Sequence, residues 1–154
     1  MKKTDTYTIR GTLEGQSSTP VWTRISLFDG KFSTAYKVVE FVVASQLSST
    51  AQDVSGKLAT EEGSATTTGL GAYWNWANNT EIAWASTNQI ATSIREPSFS
   101  LVDPDNLIVE DLFISLQNNA GTGEQVNYFI KLEKYDVTDW QGALAMVRSK
   151  SQNV

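Results

Sequence analysis

Between Gln125 and Tyr135 the chain alternates with a period of two. Val126, Tyr128, Ile130 and Leu132 fall on even positions, Asn127, Lys131 and Glu133 lie between them, and only Phe129 breaks the pattern. A helix repeats every three to four residues, so this spacing predicts a β-strand with one face on a core and one in water. Upstream, Leu107 to Gln117 is apolar on both faces, with Leu107, Val109 and Phe113 against Ile108, Leu112, Ile114 and Leu116. A run of that kind belongs to a strand covered on both sides. The turn Asp103-Pro104-Asp105-Asn106 precedes it, and the Gly-rich stretch Asn118 to Gly123 reads as a hairpin loop joining the two strands. The stretch from Leu101 to Tyr135 is therefore predicted to be the centre of the fold.

The rest of the chain repeats this grammar in shorter units. Thr6 to Glu14 sets Tyr7, Ile9, Gly11 and Leu13 against threonines and charges, a half-buried strand. Val21 to Phe28 is a second strand, stopped by the turn pair Asp29-Gly30. Tyr36 to Ala44, dense in valine and phenylalanine, reads as a central strand, and Val54 to Thr60 as a short, weak one. Glu61 to Gly71 reads as an adaptable loop, too polar to bury. Tyr73 to Ser86 reads as a hairpin turning at Asn78-Asn79, with Trp74 and Trp76 on one face and Tyr73 on the other. Phe99 to Val102 is a short strand.

Only the end of the chain changes period. Thr138 and Gln141 stand at capping-box spacing, Asp139 falls in the first turn, and Arg148 and Lys150 fall near the last. Trp140, Leu144 and Val147 recur at helical spacing, which predicts one short helix over 139–150. Strands that do not alternate with helices exclude a parallel α/β sheet. The expected fold is a single all-β domain spanning 1–154, an antiparallel, jelly-roll-like β-sandwich with one C-terminal helix.

Composition removes whole classes of function. The 154 residues include no cysteine and no histidine. Ser-His-Asp and Cys-His catalysis, imidazole acid–base chemistry and ordinary zinc, haem or iron–sulfur sites are excluded with them. Carboxylate chemistry survives that cut, but Glu110 and Asp111 are adjacent on a predicted strand and point to opposite faces. Asp103 and Asp105 are what a turn uses, and no spacing matches a calcium loop. The Gly-Thr-Gly loop precedes a strand, so it cannot seat phosphate at a helix N-terminus. No enzymatic activity and no cofactor are expected.

The formal net charge is −5, and the basic spots free of acids are at the two ends, Lys2-Lys3 and Arg148 with Lys150. These four are the candidates for weak phosphate contacts, or else plain solubilising termini. No apolar run reaches membrane-span length and no secretory leader is visible, so synthesis in the cytoplasm and no membrane partner are expected. Tyr73, Trp74, Trp76 and Trp84 form the aromatic candidate group, open to three readings: core filling, an interface between subunits, or stacking on sugar rings. Trp140, Leu144 and Val147 on the predicted helix are further interface candidates.

This layout of short antiparallel strands, Thr/Ser/Gly-rich loops, no thiols and no imidazoles resembles that of small jelly-roll coat proteins of viruses and phages. The resemblance covers most of the chain. It implies a structural subunit of a virion (capsid, decoration, spike or tail tube) that packs against copies of itself and against other virion proteins. Small coat proteins often carry a basic N-terminal arm, and here only Lys2-Lys3 stand in that place. The alternative from another class is a carbohydrate-binding sandwich module that uses the same tryptophans.

Overall fold

A computed structural model describes residues 2–46, 51–63, 69–90, 94–95, 98–120, 124–137 and 144. Nine strands follow one another within them: β1 (Lys2–Glu14), β2 (Trp22–Ile25), β3 (Thr34–Ser45), β4 (Gln52–Ala59), β5 (Glu81–Ile90), β6 (Ile94–Arg95), β7 (Phe99–Val102), β8 (Leu112–Asn118) and β9 (Gln125–Asp136). They form a three-stranded sheet, β1-β9-β3, and a six-stranded sheet, β2-β8-β4-β5, whose last strand pairs with β6 and β7 at successive positions along one edge. Every ladder between strands is antiparallel. The chain is an antiparallel β-sandwich.

The pairing has a simple origin. Lys2 pairs with Asp136, Leu13 with Val126, Trp22 with Ser115, Tyr36 with Ile108 and Gln52 with Gln89, and all five pairs are centred near Leu70. The chain is thus one long hairpin with its tip at 60–80. A second set of pairs, among them Val38 with Leu132 and Val54 with Asn118, is centred near Ser86. These arise when the hairpin is rolled, so that β9 lies between β1 and β3 while β8 lies between β2 and β4. A rolled hairpin of this order is the jelly-roll arrangement.

The core lies between the sheets. Val38, Phe41, Val43, Val126, Ile130 and Leu132 of the smaller sheet pack against Val54, Leu58, Ala83, Ala85, Ile114 and Leu116 of the larger. Phe41 reaches so far across that a Cβ on Gly56 would lie 3.1 Å from its ring and 2.6 Å from Leu116 Cδ2. Glycine at 56 is required by that approach.

Several sequence expectations are corrected by the topology. The apolar run at 107–117 is not one strand, because β8 begins only at Leu112. Ile108 turns aside to exchange backbone hydrogen bonds with Tyr36 at 2.8 and 2.7 Å, and Leu107 and Val109 join a small second cluster with Ala35, Tyr135 and Val137. The Asp111 carboxylate then accepts the Leu27 and Phe28 amides at 3.0 and 3.3 Å. β8 and β9, expected to form a hairpin across the Gly-rich stretch, belong to different sheets. The stretch read as a weak strand is β4, which is central and buried on both faces from Gly56 to Ala59. The Trp74–Trp76 stretch is not a strand at all. The helix expected over 139–150 lies outside the described residues apart from Leu144, which is helical and exposed.

β3, expected to be central, is an edge, but its outer side is covered by side chains. Asn106 Oδ1 accepts the Val38 amide at 2.8 Å, and its Nδ2 donates to the Val38 carbonyl at 3.0 Å. Ser100 Oγ donates to the Phe41 carbonyl at 2.6 Å, and Thr87 Oγ1 donates to that of Val43. Asn106 thereby imitates a neighbouring strand for one residue, and these contacts close the sandwich along this flank. Asn106→Ala is expected to cost about 2–4 kcal/mol, because it strands one buried N–H and one buried carbonyl. A thermal melt of that variant unchanged from wild type would show that the flank closes by other means.

Candidate interaction surface

A row of residues crosses the outer face of the larger sheet in register. Trp22 is opposite Ser115, Ser115 opposite Lys57, Lys57 opposite Trp84 and Trp84 opposite Leu101. Their neighbours Ile114, Leu58 and Ala83 point inward to the core. An outward row would ordinarily be wet, yet Lys57 is only 1% exposed. The hairpin tip covers it. Ser115 Oγ donates to the Gly69 carbonyl at 3.0 Å, the Ala72 amide donates to Gln117 Oε1 at 3.2 Å, and Gly71 comes close enough that a Cβ would lie 2.5 Å from the Ser115 carbonyl oxygen. The end of the loop expected to be too polar to bury is pinned here, since Gly69, Leu70 and Gly71 are all buried.

Lys57 fastens this cover. Its ammonium donates to the Tyr73 carbonyl at 2.8 Å and to Glu81 Oε2 at 3.0 Å. It also lies 5.5 Å from the Trp22 ring centroid and 6.0 Å from that of Tyr73, within range of a cation–π contact. Glu81 Oε1 accepts the Trp84 indole N–H and the Asn75 amide, both at 3.0 Å. Both charges are therefore buried, paired and further hydrogen-bonded, the condition under which a buried ion pair is tolerated. Trp22 stacks under Gly63, where a Cβ would fall 2.7 Å from the ring, and among the described residues its buried indole N–H finds no partner.

The four aromatic candidates are brought together, but in different roles. Trp84 is buried, whereas Trp76 is 62% and Tyr73 49% exposed. Trp74 is half-buried, donating its indole N–H to the Gly71 carbonyl at 2.8 Å and stacking on Phe99 at 5.4 Å. Trp76 meets Trp84 edge-on at 6.0 Å. Phe99 and Leu101 on β7 are themselves exposed. Trp76, Trp74, Phe99 and Leu101 therefore form a strip along the β7 border of the sheet, and contiguous apolar surface of this kind marks contact sites. Lys57, Glu81, Trp22, Phe99 and Leu101 were not legible as site residues. Strand alternation makes Lys57 look solvated, and nothing local says that the stretch from Gly69 to Tyr73 will cover it.

The other candidates separate from this group. Trp140, Val147, Arg148 and Lys150 lie outside the described residues, and Leu144 is exposed without a described neighbour in sequence. Lys2 and Lys3 open β1 at the far flank of the sandwich. The Lys3 ammonium is 2.5 Å from Glu133 Oε2, and this hydrogen bond raises the lysine pKa and lowers that of the carboxyl. Lys3 is thus already partnered, which weakens its case as a phosphate contact. Asp103 accepts the Asp105 amide in the turn, and Asp111 lies 3.7 Å from Arg24. Among the described residues no three His, Cys, Asp or Glu side chains group as metal ligands.

No protein-family model matches the chain, and no curated protein matches its sequence.

Lys57→Met is expected to destabilise the fold by roughly 3–5 kcal/mol, because it leaves the Glu81 carboxylate buried without its cation. Adding Glu81→Gln should return a large part of that loss. Urea denaturation followed by tryptophan fluorescence measures both. A single variant as stable as wild type would mean that the ion pair does not hold the tip.

Proposed function

We propose that the protein is a self-associating structural subunit of a virus or phage particle, acting by subunit packing and not by catalysis. The observation that carries the reading is the strip Trp76, Trp74, Phe99 and Leu101, held open to solvent on a scaffold stapled shut beneath it. A chain that seals a lysine under its own loop while leaving an indole 62% exposed presents that indole to something else. The rolled-hairpin order adds support, since jelly rolls serve as capsid domains. Fold alone carries no function, so the strip and not the topology is the test.

Trp76→Ala combined with Phe99→Ser should disperse the assembly. Both side chains are largely outside the core, so the melting curve should move little, within roughly 0.5 kcal/mol for each surface change. Size-exclusion chromatography with light scattering and negative-stain imaging measure the outcome. Wild-type protein that stays monomeric at high concentration contradicts the proposal.

A groove of about 320 Å³ beside the strip favours a second reading. Trp22 and Tyr73 line it together with Glu61, Glu62, Asn75 and Asn78, a mixture of rings, carboxylates and amides suited to a sugar. On that reading the protein is a monomer whose tryptophan emission shifts on adding a polysaccharide. Silence across a broad glycan panel removes it.

A further inference from the structure

The strip occupies one flank of the sandwich, and an open strand edge occupies the other. β1 runs for 13 residues, with every side chain from Lys2 to Thr8 exposed. One of its edges is taken by β9 along the whole strand. Among the described residues no strand pairs with the other edge. The corresponding border on the opposite flank, β3, is covered by Asn106, Ser100 and Thr87. An unpaired edge of this length is a template for another strand.

We infer that a second copy of this chain occupies it, with β1 pairing antiparallel to β1 of that copy about a two-fold axis at Thr8. The inference rests on the self-association reading and names one of its contacts. Directly opposite residues in an antiparallel ladder point their backbone groups the same way and share a face. A strand that pairs with itself must therefore set some residue opposite its own copy. Centring on Arg10 would put guanidinium against guanidinium, and centring on Asp5 carboxylate against carboxylate, both unfavourable. Centring on Tyr7 or Ile9 shortens the overlap and leaves the charged ends unmatched.

Thr8 is the midpoint of Lys2–Glu14, so this register uses the full strand. It places Tyr7, itself exposed, opposite Ile9 of the copy, twice over. It also lays the basic start of each strand along the acidic end of the other. The bulge between Lys3 and Asp5 turns Lys3 onto the face of Glu133, which is also the face of Thr6, Thr8 and Glu14. Lys3 and Glu14 of the copy then become diagonal neighbours on one face, within reach of long side chains. The product is a continuous sheet, β3-β9-β1 followed by the same three strands of the copy. Because β1 lies on the β8 side of the sandwich and β3 on the β5 and β7 side, this contact and the aromatic strip do not overlap. Two separate contacts per subunit extend an assembly beyond a dimer.

The chain has no cysteine, so single cysteines report the register directly. Opposite Cα atoms in such a ladder are within disulfide reach. Only the residue on the axis meets its own copy. With oxidised glutathione, Thr8→Cys should give a disulfide-linked dimer on a non-reducing gel, about tenfold more than Thr12→Cys, which the register places opposite the bulged segment. Thr8→Glu sits opposite Lys131 within the subunit, so the fold should hold while two carboxylates meet across the axis. Its dimer should weaken by at least about tenfold. If Thr8→Cys cross-links no better than Thr12→Cys while wild type assembles by light scattering, the β1 pairing is overturned and self-association stands. If wild type and every variant are monomeric, self-association fails and the pairing goes with it.

Discussion

A single ammonium group decides how this molecule is covered. Lys57 stands at the centre of the outer face of the larger sheet, between Trp22 and Trp84 in the cross-strand row, where an uncovered lysine would simply be solvated. Bonded to Glu81 and to the Tyr73 carbonyl, it draws the hairpin tip down onto the sheet. Burying either charge alone would cost several kcal/mol. The two are buried together, with the remaining lone pairs of Glu81 taken by an indole and an amide. From Trp22 to Trp84 along this row the larger sheet is thereby sheltered on both faces, by the smaller sheet inside and by the tip outside.

What the tip covers also sets what it exposes. Folding it over Lys57 lifts Trp76 and Tyr73 to the surface and lays Trp74 along Phe99. The aromatic strip is a by-product of the same closure that hides the ion pair. On one flank β3 is stapled by asparagine, serine and threonine side chains, which satisfy its backbone without adding another strand. On the other flank β1 has no such cover among the described residues. The charges at its two ends and the bulge between Lys3 and Asp5 are features natural edges use to avoid indiscriminate pairing. Those same features still permit one particular antiparallel partner.

Periodicity carried the reading furthest where a strand has one wet face. The alternations at 6–14 and 125–135 correspond to β1 and β9, and the boundaries of β7 coincide with the reading at 99–102. Periodicity failed where both faces are covered. β4 looked weak because Ser55, Lys57 and Gly56 dilute its apolar content, yet it sits in the middle of the larger sheet. Conversely, the richest apolar run, at 107–117, was split at the Val109-Glu110 bend. Its first half serves the seam to β3 and only its second half forms β8. Trp74 and Trp76 imitated strand alternation, but their places come from contacts with Gly71, Phe99 and Trp84.

The amino-acid order by itself determined an antiparallel all-β chain without thiol or imidazole chemistry, because a two-residue period and the lack of two residue types are local properties. Which strand is an edge, which lysine is sealed and which tryptophan meets solvent were decided only in three dimensions. Each depends on pairs such as Val38 with Leu132 or Val54 with Asn118, far apart in the chain. Such contacts form when the long hairpin is rolled, and no window of neighbouring residues records the direction of the roll.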